Sequence, residues 1–164
     1  MNPSDVLNAV LLPLRDDPLL LPGVAIADAI GAGGLRPAAA GAPDWFAGWI
    51  RWQDLDLPVL HFERLNGGAA TDPGRRARIV VLQPVTAGAG LPRLGLLCDG
   101  HPQLLSLSRE ALEARPLRDG DDRRLLLARV AAEGREARVP DLAEIETRLA
   151  ALLEDGGAAA APAS

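Results

Sequence analysis

The 164-residue chain has no lysine and no tyrosine, one methionine, one cysteine and two histidines. Each shortage removes a class of chemistry. A single thiol, Cys98, excludes an internal disulfide and any zinc site built on several cysteines. A zinc site from Cys98, His61 and His101 would still need a fourth ligand, and nothing in their spacing calls for one, so no metal and no cofactor is expected. No Ser-His-Asp, P-loop or HExxH pattern occurs. Long apolar runs are missing too. The stretch Ala9–Leu14 stops at Arg15-Asp16-Asp17, well short of the ~20 residues that cross a bilayer. The opening Met1-Asn2-Pro3-Ser4-Asp5 lacks the basic start of a secretory signal, so a soluble cytoplasmic protein without membrane insertion is expected. Basic charge comes from 17 arginines against 22 acidic residues, a net −5. That balance offers no basic face to phosphates and argues against a nucleic-acid partner. The local run Arg75-Arg76-Ala77-Arg78 leads straight into an apolar strand and reads as its solvated start. Arginine without lysine, in a chain rich in Ala, Gly and Pro, reads as GC-rich codon bias rather than as selection for bidentate contacts.

What is present points to a folded binding protein. With 48% hydrophobic and 24% charged residues, the chain is globular and long enough to bury a sizeable core. Its five aromatic residues, Trp45, Phe46, Trp49, Trp52 and Phe62, all fall in one segment. Concentrated aromatic area either anchors a core or meets a partner. On a strand, Ile50 and Trp52 share one face, and Trp49, Arg51 and Gln53 the other. The core is favoured for Ile50 and Trp52. A single narrow strand cannot easily bury four large rings, so at least one is expected at a contact surface, with Trp49 open to either role.

Short strands dominate the remaining pattern. Val6–Leu14 and Leu19–Leu21 are apolar and closed by Arg15-Asp16-Asp17-Pro18 and Pro22-Gly23. Val24–Ile30 follows, and Gly31–Pro43, rich in Gly, Ala and Pro, reads as a long loop. Trp45–Gln53 and Leu57–Glu63 form a predicted hairpin turning through Gln53-Asp54-Leu55-Asp56. Asn66–Gly74 and Thr86–Pro92 read as loops, with strands over Ala77–Pro84 and Leu94–Cys98 between and after them. Leu104–Leu107 leads into a helical or turn segment containing Glu110–Ala114, and Leu125–Ala132 and Glu136–Val139 are the last strands. Asp141 is a predicted helix N-cap with Glu144 at the capping-box position, and Leu142, Ile145, Leu149, Leu152 and Leu153 form one apolar stripe. Residues 155–164 read as a disordered tail. Regularly spaced short strands with one closing helix predict a barrel or sandwich.

Three constellations could carry chemistry. Gly31-Ala32-Gly33-Gly34 resembles a dinucleotide loop but lacks the last glycine of that fingerprint, and Pro37 and Pro43 interrupt the helix that should follow. Cys98 with His101 could form a thiol nucleophile and base, the basis of an alternative reading as a small thiol-dependent enzyme. Cys98 ends an apolar strand, however, which favours a core role. Asp54 and Asp56 pair carboxylates in a turn, where solvated charge is the common case.

Against this background the chain resembles the CheW-like family, the coupling proteins of bacterial chemosensory arrays. Three stretches carry the resemblance. Pro43-Asp44-Trp45-Phe46-Ala47-Gly48 through Pro58-Val59-Leu60-His61-Phe62 matches the family's glycine-to-proline spacing and its apolar positions. Leu94–Gly100 followed by Leu104–Leu107 is similar to a family strand pair, with Asp99 at the family aspartate. Ile26-Ala27-Asp28-Ala29-Ile30 sits at a V-x-E-I motif, and Val139-Pro140-Asp141-Leu142 opens the closing helix. The family's N-L-R-G is replaced by Arg51-Trp52-Gln53-Asp54, and a family aspartate by His61. These departures, with the Pro18-Leu19-Leu20-Leu21-Pro22 opening and the Arg76–Gln83 strand, look like the ChpC subgroup, auxiliary members in type IV pilus systems.

The resemblance implies a mostly β fold over residues 4–154: two intertwined five-stranded SH3-like barrels with a C-terminal α-helix. One barrel is expected from residues 15–76, the other from 4–14 with 77–154. It also implies a non-catalytic adaptor between chemoreceptor cytoplasmic tips and the regulatory domain of a CheA-type histidine kinase. Receptor contact is expected in a groove between the barrels near Ile26, Asp28 and Gln53. Kinase contact is expected on the barrel carrying Trp45, Phe46 and Trp49, and Asp99 completes the implied partner-binding set. A generic SH3-like interaction module outside chemotaxis is the other binding alternative.

Overall fold

The structure, a computed structural model, describes residues 6–68, 75–85 and 93–156. It is mostly β, with two curled sheets and a C-terminal helix. The first sheet has strand order β10-β11-β12-β2-β1-β9, built from β1 (Val6–Leu12), β2 (Leu19–Pro22), β9 (Gln103–Ser108), β10 (Leu112–Arg115), β11 (Leu126–Ala132) and β12 (Arg135–Pro140). The second has order β3-β7-β8-β6-β5-β4, built from β3 (Ile26–Gly31), β4 (Arg36–Pro37), β5 (Phe46–Trp52), β6 (Leu55–Leu60), β7 (Arg78–Leu82) and β8 (Leu94–Cys98). Short helix α1 (Phe62–Leu65) follows β6, and α2 (Leu142–Asp155) follows β12.

The strands of each sheet come from separate parts of the chain. Strand β2 pairs with β1 in the first sheet, and β7 and β8 join the second. The sheets therefore divide as residues 6–22 with 103–140, against 26–98, each with six strands among the described residues. The physical reason lies in alternating burial. Along β1, Ala9 and Leu11 fill the interior of the first sheet, while Val10 and Leu12 enter a core shared by both sheets. On β7, Ile79 and Val81 fill the second sheet, while Val80 and Leu82 enter the shared core. Strands β2 and β8 behave alike. Buried on both faces, these strands read in sequence as continuous apolar runs, which identify a central strand but not the sheet it joins.

The shared core also receives Ile145 and Leu149 of α2, both fully buried, with Leu142, Leu152 and Leu153 packed against it. The predicted stripe is thus the packed face of the helix. Asp141 caps it by accepting a hydrogen bond from the Glu144 N–H (3.1 Å). Glu144 does not reach back to complete a capping box, because its carboxylate accepts from Arg148 Nε one turn later (3.0 Å).

Several local expectations change. The hairpin turn is only Gln53-Asp54, both with positive φ (45° and 64°), between β5 and a β6 that begins at Leu55. A two-residue turn of this kind matches the strand twist, and aspartate tolerates left-handed backbone better than most residues. The predicted loop Gly31–Pro43 contains β4, paired with β5 at Arg36↔Trp49 and Pro37↔Gly48. The segment after β9 makes a single 3-10 turn over Arg109–Ala111 and then β10. Most of the predicted tail and of the loops ending at Gly74 and Pro92 lies outside the described residues.

Candidate functional site

A groove of about 410 Å³ opens where β3 of the second sheet faces β1 and β9 of the first. Its walls include Val10, Ile26, Asp28, His101, Pro102 and Leu104. Leu104 is 82% exposed, and Val24, on the 3-10 turn beside the groove-lining Gly23, is 84% exposed. Two aliphatic side chains thus stand exposed at or beside one concave surface. Leu104 is exposed because β9 alternates: Leu105 and Leu107 point into the first sheet's interior, leaving Leu104 and Ser106 outside. Neither Val24 nor Leu104 was singled out by sequence. In a run such as Leu104-Leu105-Ser106-Leu107, only the strand's phase tells which leucine is exposed.

Asp28 supplies the acidic charge among the lining residues. Its Oδ2 accepts from Trp52 Nε1 (2.8 Å) and its Oδ1 from the Ala29 N–H (2.8 Å). The guanidinium of Arg93 lies 5.0 Å from the centre of the Trp52 ring, in cation–π range. The groove-lining His101 accepts at Nε2 from Arg78 Nη2 of β7 (3.1 Å).

The expected contact residues separate into three groups. Ile26 and Asp28 line the groove; Gln53 and Asp99 are exposed but are not among its lining residues. Gln53 sits in the β5–β6 turn, and the Asp99 N–H donates to the Pro13 carbonyl (2.9 Å). Trp45 is half-buried against the shared core. Phe46 and Trp49, both named for the kinase-facing barrel surface and Trp49 open to either role, lie in the interior, only 3% and 9% exposed, with rings edge-to-face at 6.0 Å. A β-bulge between Phe46 and Gly48 explains how one strand buries so many rings. The extra residue shifts the alternation, so Phe46 and Trp49 face the shared core while Ala47, Ile50 and Trp52 face the second sheet's own interior.

With this geometry in hand, comparison with known proteins is decisive on family. Residues 9–149 match the family model of the CheW-like domain. The chain belongs to the CheW-like domain family. No curated protein matches it. Among solved structures, it is similar to the scaffolding protein TtCheW from Thermoanaerobacter tengcongensis, with a TM-score of 0.68 at 14% identity, over 83% of this chain and 84% of that one. That likeness is one of fold, two SH3-like barrels with a closing helix.

The remaining chemistry-bearing candidates of this CheW-like domain are structural. Cys98 is fully buried in the shared core, and its Sγ–H points to the Leu96 carbonyl (3.6 Å). Burial, reinforced by the neighbouring Asp99 charge, pushes its thiol up to about 12. It is therefore a neutral thiol at physiological pH, not a nucleophile. Native protein should alkylate with iodoacetamide slowly and only through unfolding, with fast labelling in urea; rapid labelling of the native state would contradict the burial. Asp56, of the turn carboxylate pair, is bonded by Arg36 (2.5 Å) and approached by Arg51 (3.5 Å), and the Arg36 hydrogen bond holds its carboxyl below the usual range. Among the described residues, no group of three or more His, Cys, Asp or Glu is placed to hold a metal ion, and no helix is long and apolar enough to cross a membrane.

A second concavity, lined by Asp17, Glu63, Arg118, Asp121, Arg129 and Arg138 among others, has walls built of internal ion pairs. Arg129, 5% exposed, is bound by Asp121 through Nε and Nη2 (2.6 and 2.8 Å) and by Asp17 (2.7 Å). The Arg129 hydrogen bonds, helped by the Arg118 N–H, hold the Asp121 carboxyl down at about 2 against the opposing effect of burial. A carboxyl lowered on folding stabilises fully above its unfolded value, near 4, and that stability is lost as pH falls through about 2. The chain should lose about 2 kcal/mol through this group between about pH 5 and pH 2. Urea unfolding across that range should show a shallower acid slope for Asp121→Asn than for the wild type; identical slopes would remove Asp121 from the account.

Proposed function

We propose that the chain is a non-catalytic adaptor of a bacterial chemosensory pathway, coupling chemoreceptor cytoplasmic tips to the regulatory domain of a CheA-type histidine kinase. Membership of the CheW-like family supports the class. The observation that carries the receptor half is the groove between the barrels, with Ile26 and Asp28 in its wall and Val24 and Leu104 unburied beside it. The kinase contacts the barrel formed by β3–β8. With Phe46 and Trp49 in the core, that contact draws on Trp45, the Gln53–Leu55 turn and the exposed Asp99. A surface resting on few anchors still binds well, since a handful of buried side chains carry most interface energy. The replacement of the family's turn arginine by Gln53, with the subgroup features, supports a ChpC-type auxiliary role in type IV pilus twitching. The adaptor works in the cytoplasm, where receptor tips and kinase lie.

Parallel co-purification of the full chain with a kinase regulatory domain and with a receptor-tip fragment tests this reading. Both should be retained. Leu104→Asp, which changes an exposed side chain, should weaken receptor-tip binding by about 2 kcal/mol without affecting the kinase. Retention of neither partner by the wild type would overturn the proposal.

A further inference from the structure

The Asp28 carboxylate differs from most of the other partly buried acids among the described residues; Asp141 also accepts from a backbone N–H, but as the cap of α2. Asp17, Asp56, Glu63, Asp121 and Asp122 each meet an arginine within 4.0 Å. Asp28, among the described residues, meets only neutral donors, the Trp52 indole N–H and the Ala29 N–H. Each carboxylate oxygen accepts one bond and retains capacity for a second. Trp52 is itself fixed, 8% exposed, packed in the second sheet's interior and covered by Arg93. A rigid indole thus holds an anion in the groove wall without neutralising it. Arg78, on β7 beside β3, is bonded to His101.

We infer that Asp28 is a charge selector for the segment that docks in the groove, and that Trp52 is the residue that positions it. The segment would present an apolar ridge to Ile26 and Leu104 and one arginine or lysine to the Asp28 carboxylate. A cation arriving there forms a charge-assisted hydrogen bond to an acceptor whose orientation is already set, so little ordering entropy opposes it. A segment with an acidic residue at that position would face a fixed like charge and be rejected. The inference rests on the groove being the receptor-docking surface proposed above.

The test uses the full chain and a purified chemoreceptor cytoplasmic-tip fragment from the same organism, titrated at several salt concentrations. Asp28→Asn retains an acceptor for Trp52 and removes the charge. It should weaken binding about tenfold at low salt and flatten its salt dependence. Trp52→Phe keeps a buried ring but loses the N–H; it should weaken binding several-fold and also reduce the salt dependence, a change that loss of packing alone would not produce. Leu104→Asp serves as the control for the groove. If it abolishes binding while Asp28→Asn matches the wild type in affinity and salt response, the selector is overturned and the docking surface stands. Wild-type affinity and salt response in Trp52→Phe would remove the positioning role. If Leu104→Asp has no effect, the docking surface fails and this inference with it.

Discussion

Gly48→Ala should destabilise the chain by roughly 3–5 kcal/mol, the range reserved for backbone and core defects. Gly48 lies in β5 with φ at +136°, a conformation that side chains rarely adopt. A methyl group there would sit 2.0 Å from the Arg36 carbonyl oxygen, 2.9 Å from its carbon and 3.0 Å from the Ala38 nitrogen. All three are backbone atoms of the segment bearing β4, so no side-chain rotation relieves the overlap. Either β4 leaves β5, losing the Ala38 N–H bond to Ala47 (3.1 Å) and endangering the Arg36–Asp56 pair, or the bulge straightens. A straightened bulge would rotate Phe46 out of the shared core, because the bulge puts Phe46 and Trp49 on one face. Gly134 provides the comparison: its φ is also positive, but nothing lies within 4 Å of the added carbon. Gly134→Ala should therefore cost only about 1–2 kcal/mol of backbone strain. Equal losses for the two variants in urea unfolding would refute the steric argument.

The same glycine shows where sequence reading succeeds and where it stops. Its spacing to Pro58 marks the hairpin and the family, and the apolar runs and the stripe on α2 mark the elements. The two cores served by β5 are invisible, because a bulge changes the phase of alternation without changing composition. The sheet partners of β2, β7 and β8 are hidden for a related reason: strands buried on both faces carry no sign of which neighbour they choose. Charge was least legible. Arg138 and Glu63 lie 75 positions apart, each in a locally polar stretch that reads as solvated. Glu146, on the helix, looks like a surface residue, yet it is 2% exposed and accepts from the Val85 N–H (3.1 Å). The groove was legible only in part: Ile26 and Asp28 came from the family motif, whereas Val24, Leu104 and the Trp52–Asp28 bond depend on how the two sheets meet.

Besides the shared core, a buried ion pair bridges elements of the two sheets, and its removal carries the other large effect. Glu63 follows β6 on α1, and Arg138 lies on β12 of the other sheet. They are 8% and 2% exposed and are joined at 2.6 and 3.3 Å. Arg138 also donates from Nε to the Asp17 carbonyl (3.1 Å) and lies over the Phe62 ring at 5.4 Å. Arg138→Ala would leave a carboxylate buried without its cation and a carbonyl without its donor. Such a loss costs about 3–5 kcal/mol, a large part of the 5–15 kcal/mol that holds a typical domain together. Glu63→Leu should cost a similar amount by stranding the guanidinium. The combined Glu63→Leu/Arg138→Met variant should recover most of the loss, because apolar groups of similar volume replace a buried pair at little net cost. A double-mutant cycle in urea, closed with Arg138→Met as the second single variant, would then give a coupling of about 5–9 kcal/mol, close to the sum of the two single losses; additive single effects would mean that the two charges do not depend on each other. A stable double variant raises a further expectation about function. An ion pair holds one geometry through directed hydrogen bonds, whereas apolar contact permits sliding between the sheets. The repaired variant should therefore fold as well as the wild type yet bind a receptor-tip fragment more weakly, since the groove exists only where the two sheets are held in register.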